Sequence, residues 1–180
     1  MKARYTFALA ALGAAVSLSL GVLIVRAQDA PAPKAAVQLR LAAEKQTVQK
    51  DEKGKLQVVW QALPAEASAQ PGDVFRFVVN GENAAAEAVS GLVVTQPIPE
   101  GMEYVLQSTA ADAKRKADVV YSIDGGKSFT ANPTVKVALP RGGTELRPAP
   151  ASAYTHVRWT LQKPLAAKSS VKLAYQARVR

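Results

Sequence analysis

The chain has no cysteine among its 180 residues. No disulfide can staple the fold, and no thiolate can bind zinc or act as a nucleophile. Histidine is almost missing as well, His156 being the only one. A zinc site would need three carboxylates around it, and any Ser-His-Asp chemistry would have to run through this one ring. There is no G-x-S-x-G elbow and no D-x-D-x-D-G spacing of a calcium loop. Asp73, Asp112, Asp118 and Asp124 stand near turn signals, where capping is the simpler role. Helical periodicity is also scarce: past residue 36 only Ala84–Ala88 is helix-like, too short to stand alone. The expectation for catalytic, cofactor-binding and metal-ligating residues is therefore none.

What the chain does have begins at its start. Lys2 and Arg4 precede an uncharged apolar run from Phe7 to Val25, and Val25-Arg26-Ala27 offers a small residue where a signal peptidase cuts. Residues 1–27 read as a secretory signal peptide or, if uncleaved, as a helical membrane anchor. Either way the remainder is expected outside the cytoplasm: periplasmic, secreted or at the cell surface. Without Lys2, Arg4 and Arg26 the net charge falls from +9 to +6. That excess suits contact with anionic envelope polymers, although the basic residues are dispersed and a merely solvated surface accounts for them equally. No nucleic-acid motif is present, and none is expected in an exported chain. Membrane contact is expected only through the first 27 residues. Residues 28–36, QDAPAPKAA, read as an extended Ala/Pro linker.

From residue 37 to 180 the period is two. Val37, Leu39 and Leu41 alternate with polar neighbours; so do Leu56, Val58 and Trp60, then Phe75, Phe77 and Val79. Val157, Trp159 and Leu161 repeat the pattern, followed by Val171, Leu173, Tyr175, Ala177 and Val179. Alternate side chains on a strand point to opposite faces, so each run predicts a strand with one face to bury. Both tryptophans are in phase with aliphatic neighbours and are expected in the core. Turn signals separate the runs: Pro71-Gly72-Asp73, Asn80-Gly81, Pro97 to Gly101, Asp124-Gly125-Gly126, and a long loop from Asn132 to Ala153. Eight or nine short strands with such punctuation predict an all-β, antiparallel sandwich over residues 37–180.

Ser122 to Phe129, SIDGGKSF, is similar to the Asp box of sialidases, S-x-D-x-G-x-x-aromatic. A propeller of many blades does not fit this length. The string is expected to form a hairpin turned at Asp-Gly. His156 falls on the polar side of its strand, where a surface hydrogen-bonding role is expected.

The run PGDVFRFVVNGENAAAEAVSGLVVTQPIPEGMEYVLQSTA, with VVYSIDGGKSF, YTHVRWTL and VKLAYQARVR after it, resembles the "conserved repeat domain" of bacterial surface proteins, the domain-of-unknown-function family eleven. The carriers are Pro71-Gly72-Asp73, Asn80-Gly81, Val93-Val94 and Pro99-Glu100-Gly101 before Tyr104-Val105. Gln96 stands where the family often has Asp, and the Asn-Gly segment is stretched. The resemblance implies an immunoglobulin-like β-sandwich serving as a spacer or adhesive module, with no catalytic residues. The expected function is a non-enzymatic structural or interaction role at the cell envelope, with an envelope polymer or protein as partner. The alternative is a glycan- or small-ligand-binding module, for which Tyr154 and Arg158 are the candidate residues.

Overall fold

The computed structural model describes residues 37–63, 68–112 and 115–180. The expected signal or anchor helix at 1–27 and the expected linker at 28–36 lie outside these residues. The described part is all-β. Its strands are β1 (Val37–Lys50), β2 (Leu56–Ala62), β3 (Val74–Asn83), β4 (Val93–Pro97), β5 (Met102–Tyr104), β6 (Ala110–Ala111), β7 (Ala117–Ser122), β8 (Thr134–Ala138), β9 (Thr144–Pro148), β10 (His156–Leu161) and β11 (Ser170–Val179). A single 3-10 turn, Ala151–Ala153, is the only helical element among the described residues. Ala84–Ala88 forms bends, not helix.

Every strand pair is antiparallel. The larger sheet runs β2-β1-β3-β11-β5, with β6 also on β11; a second sheet runs β4-β10-β7, and β8-β9 form a separate ribbon. The two main sheets share one core. Phe75, Phe77 and Val79 of β3, and Val171, Leu173, Tyr175 and Ala177 of β11, face Val94 of β4 and Val157, Trp159 and Leu161 of β10. Tyr175 stacks on Phe77 with centroids 5.1 Å apart and meets Trp159 at 6.2 Å. Tyr175 Oη also donates to the Pro97 carbonyl at 2.8 Å, tying one sheet to the other. These strands follow the sequence alternation without a slip. β-Branched and aromatic residues at every second position build a dry face, and the residues between them keep some exposure except Val78, which is 2% exposed.

β1 departs from expectation. Its first part, Val37–Lys45, pairs with β3, while Glu44–Lys50 pairs with β2. The β1–β2 hairpin therefore overhangs the body of the sheet. Leu39 and Leu41 share the inner face with Val79, yet they are 49% and 57% exposed. Val48, Leu56 and Val58 lie on the opposite face and are more than half exposed. Trp60 is on that face too, half-buried under the Arg76 guanidinium at 4.5 Å, while Arg76 Nε donates to Glu44 at 2.6 Å. The expected burial of Trp60 is thus corrected, while that of Trp159 holds, at 0% exposure. The period identified the strands; it could not tell that the covering sheet has only three.

The turns carry their own chemistry. Gln70-Pro71-Gly72-Asp73 closes through Asp73 N–H donating to the Gln70 carbonyl at 3.0 Å, with Gly72 at φ +91°. That is a type II turn, with proline and glycine in the positions it demands. Asp73 then accepts from Gln70 N–H at 2.8 Å and from Lys45 Nζ at 2.6 Å. Asn80-Gly81, expected as a break, lies inside β3 instead. A Cβ on Gly81 would meet Val171 Cγ1 at 3.1 Å and Leu39 Cδ2 at 3.2 Å. Glycine is there for close packing between neighbouring strands. The strand ends at Asn83, fully buried, whose Nδ2 donates toward the carbonyls of Glu87, Leu165 and Ala166 at 2.7, 3.0 and 3.0 Å. The expected long loop 132–153 contains the β8–β9 ribbon, based on buried Pro133 and Ala149 and otherwise largely exposed.

Candidate functional site

Ser122 to Phe129 is an eight-residue loop, not a two-residue hairpin. It is closed by reciprocal bonds between Tyr121 and Thr130, at 2.8 and 2.9 Å. Asp124 is its hub: Ser122 Oγ donates to it at 2.7 Å, Ser128 Oγ at 2.6 Å, and the Lys127 and Ser128 amides add further bonds. These donors hold the Asp124 carboxyl well below its ordinary value, Ser122 contributing most. The buried Ser122 hydroxyl in turn accepts from Gly126 N–H at 2.9 Å. So the box-like string ties a loop with its own side chains, as its Asp predicted.

His156 sits beside this loop. Its Nδ1 is 3.2 Å from Thr155 Oγ1, which donates to the Ser122 carbonyl at 3.1 Å and lies 3.4 Å from Ser122 Oγ. A His, a Ser and an Asp therefore lie in one hydrogen-bond chain, but in the wrong order for nucleophilic catalysis. The carboxylate bonds the serine and not the imidazole, Thr155 stands between serine and histidine, and Ser122 is 1% exposed. Among the described residues no group of three or more His, Cys, Asp or Glu could hold a metal ion.

Tyr154 and Arg158, the candidate ligand residues, have separate surroundings. Arg158 points outward from β10, over the Phe129 ring at 3.5 Å, and its Nε donates to Thr95 Oγ1 at 2.9 Å. Its Nε and the face of its guanidinium are thus engaged with the sheet surface. Tyr154 enters a cluster that local sequence did not reveal. Its ring lies 5.1 Å from Tyr104 and 5.3 Å from Tyr121, tilted by 31° and 75°. Tyr104 and Tyr121 are themselves 5.4 Å apart. Tyr121 and Thr109 hydroxyls are 2.9 Å apart, and Tyr104 Oη bonds both Thr109 and Tyr121. Burial pushes the Tyr104 phenol up to about 12 and raises Tyr154 as well. Tyr104 and Tyr154 are therefore neutral at physiological pH.

These rings wall a cavity of about 510 Å³ at the foot of the β8–β9 ribbon. Its other walls are Leu106, Gln107, Ala131, Asn132, Pro133, Thr134, Pro148 and Ala149. Among the described residues no charged side chain lines it. The β register assembles it: Tyr104 is placed opposite Ala177, and Tyr121 opposite Val157, at neighbouring ends of the two sheets. The second feature is the sheet edge. Of the nine exposed large hydrophobic residues among the described ones, Leu39, Leu41, Val48, Leu56 and Val58 belong to β1 and β2. In comparisons with protein-family models, curated proteins and solved structures, the chain matches none of them.

Proposed function

We propose that this protein is an exported, non-enzymatic module of the immunoglobulin-like sandwich kind, acting at the cell envelope by binding another macromolecule along the overhanging edge of its larger sheet. The observation that carries this reading is the concentration of exposed aliphatic side chains on two adjacent strands. Soluble surfaces tolerate single exposed apolar residues, but Leu39 beside Leu41 on one face, and Val48, Leu56 and Val58 together on the other, are costly unless a partner covers them. The first half of β1 is also an unpaired edge, with backbone groups available for strand addition. The leader-like residues 1–27, the conserved-repeat-domain resemblance and the bonding order around His156 support the export and non-enzymatic parts.

The test is a pull-down from native envelope with the tagged chain, alongside a Leu39→Lys/Leu41→Lys variant. Both leucines are about half exposed, so the variant is expected to fold with an unchanged midpoint while losing the captured partner. Equal capture by both proteins, or none by either, would sink the edge reading. A second reading, ligand binding, is favoured by the cavity beside Tyr154.

A further inference from the structure

We propose that the tyrosine cavity receives a proline-rich segment in the polyproline II conformation, and that the segment is Ala30-Pro31-Ala32-Pro33 of a second copy of this chain. The inference rests on the cavity and is independent of the sheet edge.

The chemistry of the walls selects the class of ligand. With no charged lining, the cavity offers nothing to a phosphate, a carboxylate or an ammonium group. A sugar ring is a poor occupant for two reasons. Sugar sites use an open aromatic face and carboxylate or guanidinium partners, whereas here the tyrosine faces are turned on one another and Tyr104 is 1% exposed. What the lining offers is apolar and angular: Tyr121 and Tyr154 meet at 75°, edge to face, and Pro133, Pro148 and half-exposed Leu106 share the wall with them. Pyrrolidine rings pack against such walls, and a polyproline helix brings them preformed at low entropic cost. That helix has no internal hydrogen bonds, so its carbonyls need donors. Asn132 and Gln107 can supply them, and so can the Tyr154 hydroxyl, which has no hydrogen-bond partner among the described residues.

The sequence holds two Pro-Ala-Pro stretches, residues 31–33 and 148–150; the second already forms part of the cavity wall, with Ala149 buried, which leaves Ala30 to Pro33 as the occupant. Reach decides whose. Val37 stands opposite Asn83, whereas Tyr104 stands by Ala177, which pairs with Phe75. Eight residues along the sheet and three strands across it separate the two points by about 30 Å. A fully extended chain from Val37 back to Pro31 covers about 21 Å. The cavity is beyond its own segment and open to that of a neighbour. Such a contact joins two different surfaces and so propagates head to tail.

The experiment uses the mature chain carrying Pro31→Ala and Pro33→Ala, which disables its own segment, and the synthetic peptide QDAPAPKAA. By NMR, the peptide is expected to move the resonances of Tyr121, Tyr154, Leu106 and Asn132 in a saturable way. Tyr154→Ala, and separately the half-exposed Leu106→Ala, should weaken binding by about tenfold or more. The unsubstituted mature chain should associate with rising concentration in sedimentation, and the double proline variant should not. Unmoved resonances at millimolar peptide, equal binding of a peptide with both prolines replaced, or movement by a neutral oligosaccharide in place of the peptide would each overturn the ligand class. Association that survives the proline substitutions, or a chain that stays monomeric throughout, would overturn the second-copy assignment.

Discussion

Single side chains hold the irregular parts of this protein together. Asp124 gathers the loop at 122–129, Asp51 gathers the β1–β2 turn by accepting from Lys53 and Lys55 amides at 2.9 and 2.8 Å, and Asp73 links its turn to Lys45. All three carboxyls are shifted downward by these donors: Lys55 N–H leads for Asp51, Lys45 for Asp73 and Ser122 for Asp124. A group whose folded value is depressed stabilises the fold above its ordinary value and loses that contribution as pH falls through the folded one. The ordinary value for Asp124 is 3.8. Asp124→Asn is therefore expected to lower the thermal midpoint at pH 7, and the gap to the unsubstituted protein should narrow once pH drops below about 4. A gap that stays constant down to the acid transition would show that the carboxylate charge is not what the loop uses. The aspartates were legible in the sequence as turn residues, because an Asp beside Gly has few other local uses. Their partners were not: Thr155, which joins the loop to β10, is 33 residues from Ser122.

At the scale of elements, legibility followed burial. β3, β10 and β11 are covered on one face for their whole length, so their alternation and their observed exposure coincide. β1 and β2 have the same alternation but no cover. A strand pattern records what the backbone prefers and not which neighbour arrives. The β8–β9 ribbon was hidden by Pro140, Gly142, Gly143 and Pro148, which mark its turn and end but read as a continuous loop. Asn80-Gly81 misled in the opposite sense, because a dipeptide that usually turns a hairpin here serves packing. Gly81→Ala tests that account. Val171 is 2% exposed and cannot retreat, so the added methyl is expected to cost about 1–3 kcal/mol in urea unfolding. Its φ is not positive, so no backbone strain contributes. A cost under about 0.5 kcal/mol would mean that β11 yields easily at this crossing.

For the molecule as a whole, the two tryptophans report on the arrangement of the sheets. Trp159 lies between them with no exposed surface, and its Nε1 has no hydrogen-bond partner among the described residues. Trp60 lies outside them, on the overhang. Trp60→Phe should leave emission that is blue-shifted and nearly immune to acrylamide. Trp159→Phe should leave emission that is red-shifted and readily quenched. Reversed behaviour would mean that the shared core is placed wrongly. The candidate cavity belongs to this scale too. Tyr104, Tyr121 and Tyr154 come from β5, β7 and the segment before β10, and only the closing of two sheets brings them within about 5 Å of one another. No local spacing announces such a cluster, so the sequence offers Tyr154 as a ligand candidate without Tyr104 or Tyr121 beside it.

The strand spanning Ser170–Val179 is not at a margin; it is flanked by β3 on one side and by β5 and β6 on the other, and four of the core side chains are its own. Its partner β3 was synthesised roughly ninety residues earlier, so the contacts that close the core are among the longest in sequence. Deleting Ser170–Val179 would open one flank of β3 and take from β5 and β6 the strand they pair with, so the shortened chain is expected to lose cooperative unfolding. The strand works as a keystone, a single element whose loss releases its neighbours on both sides.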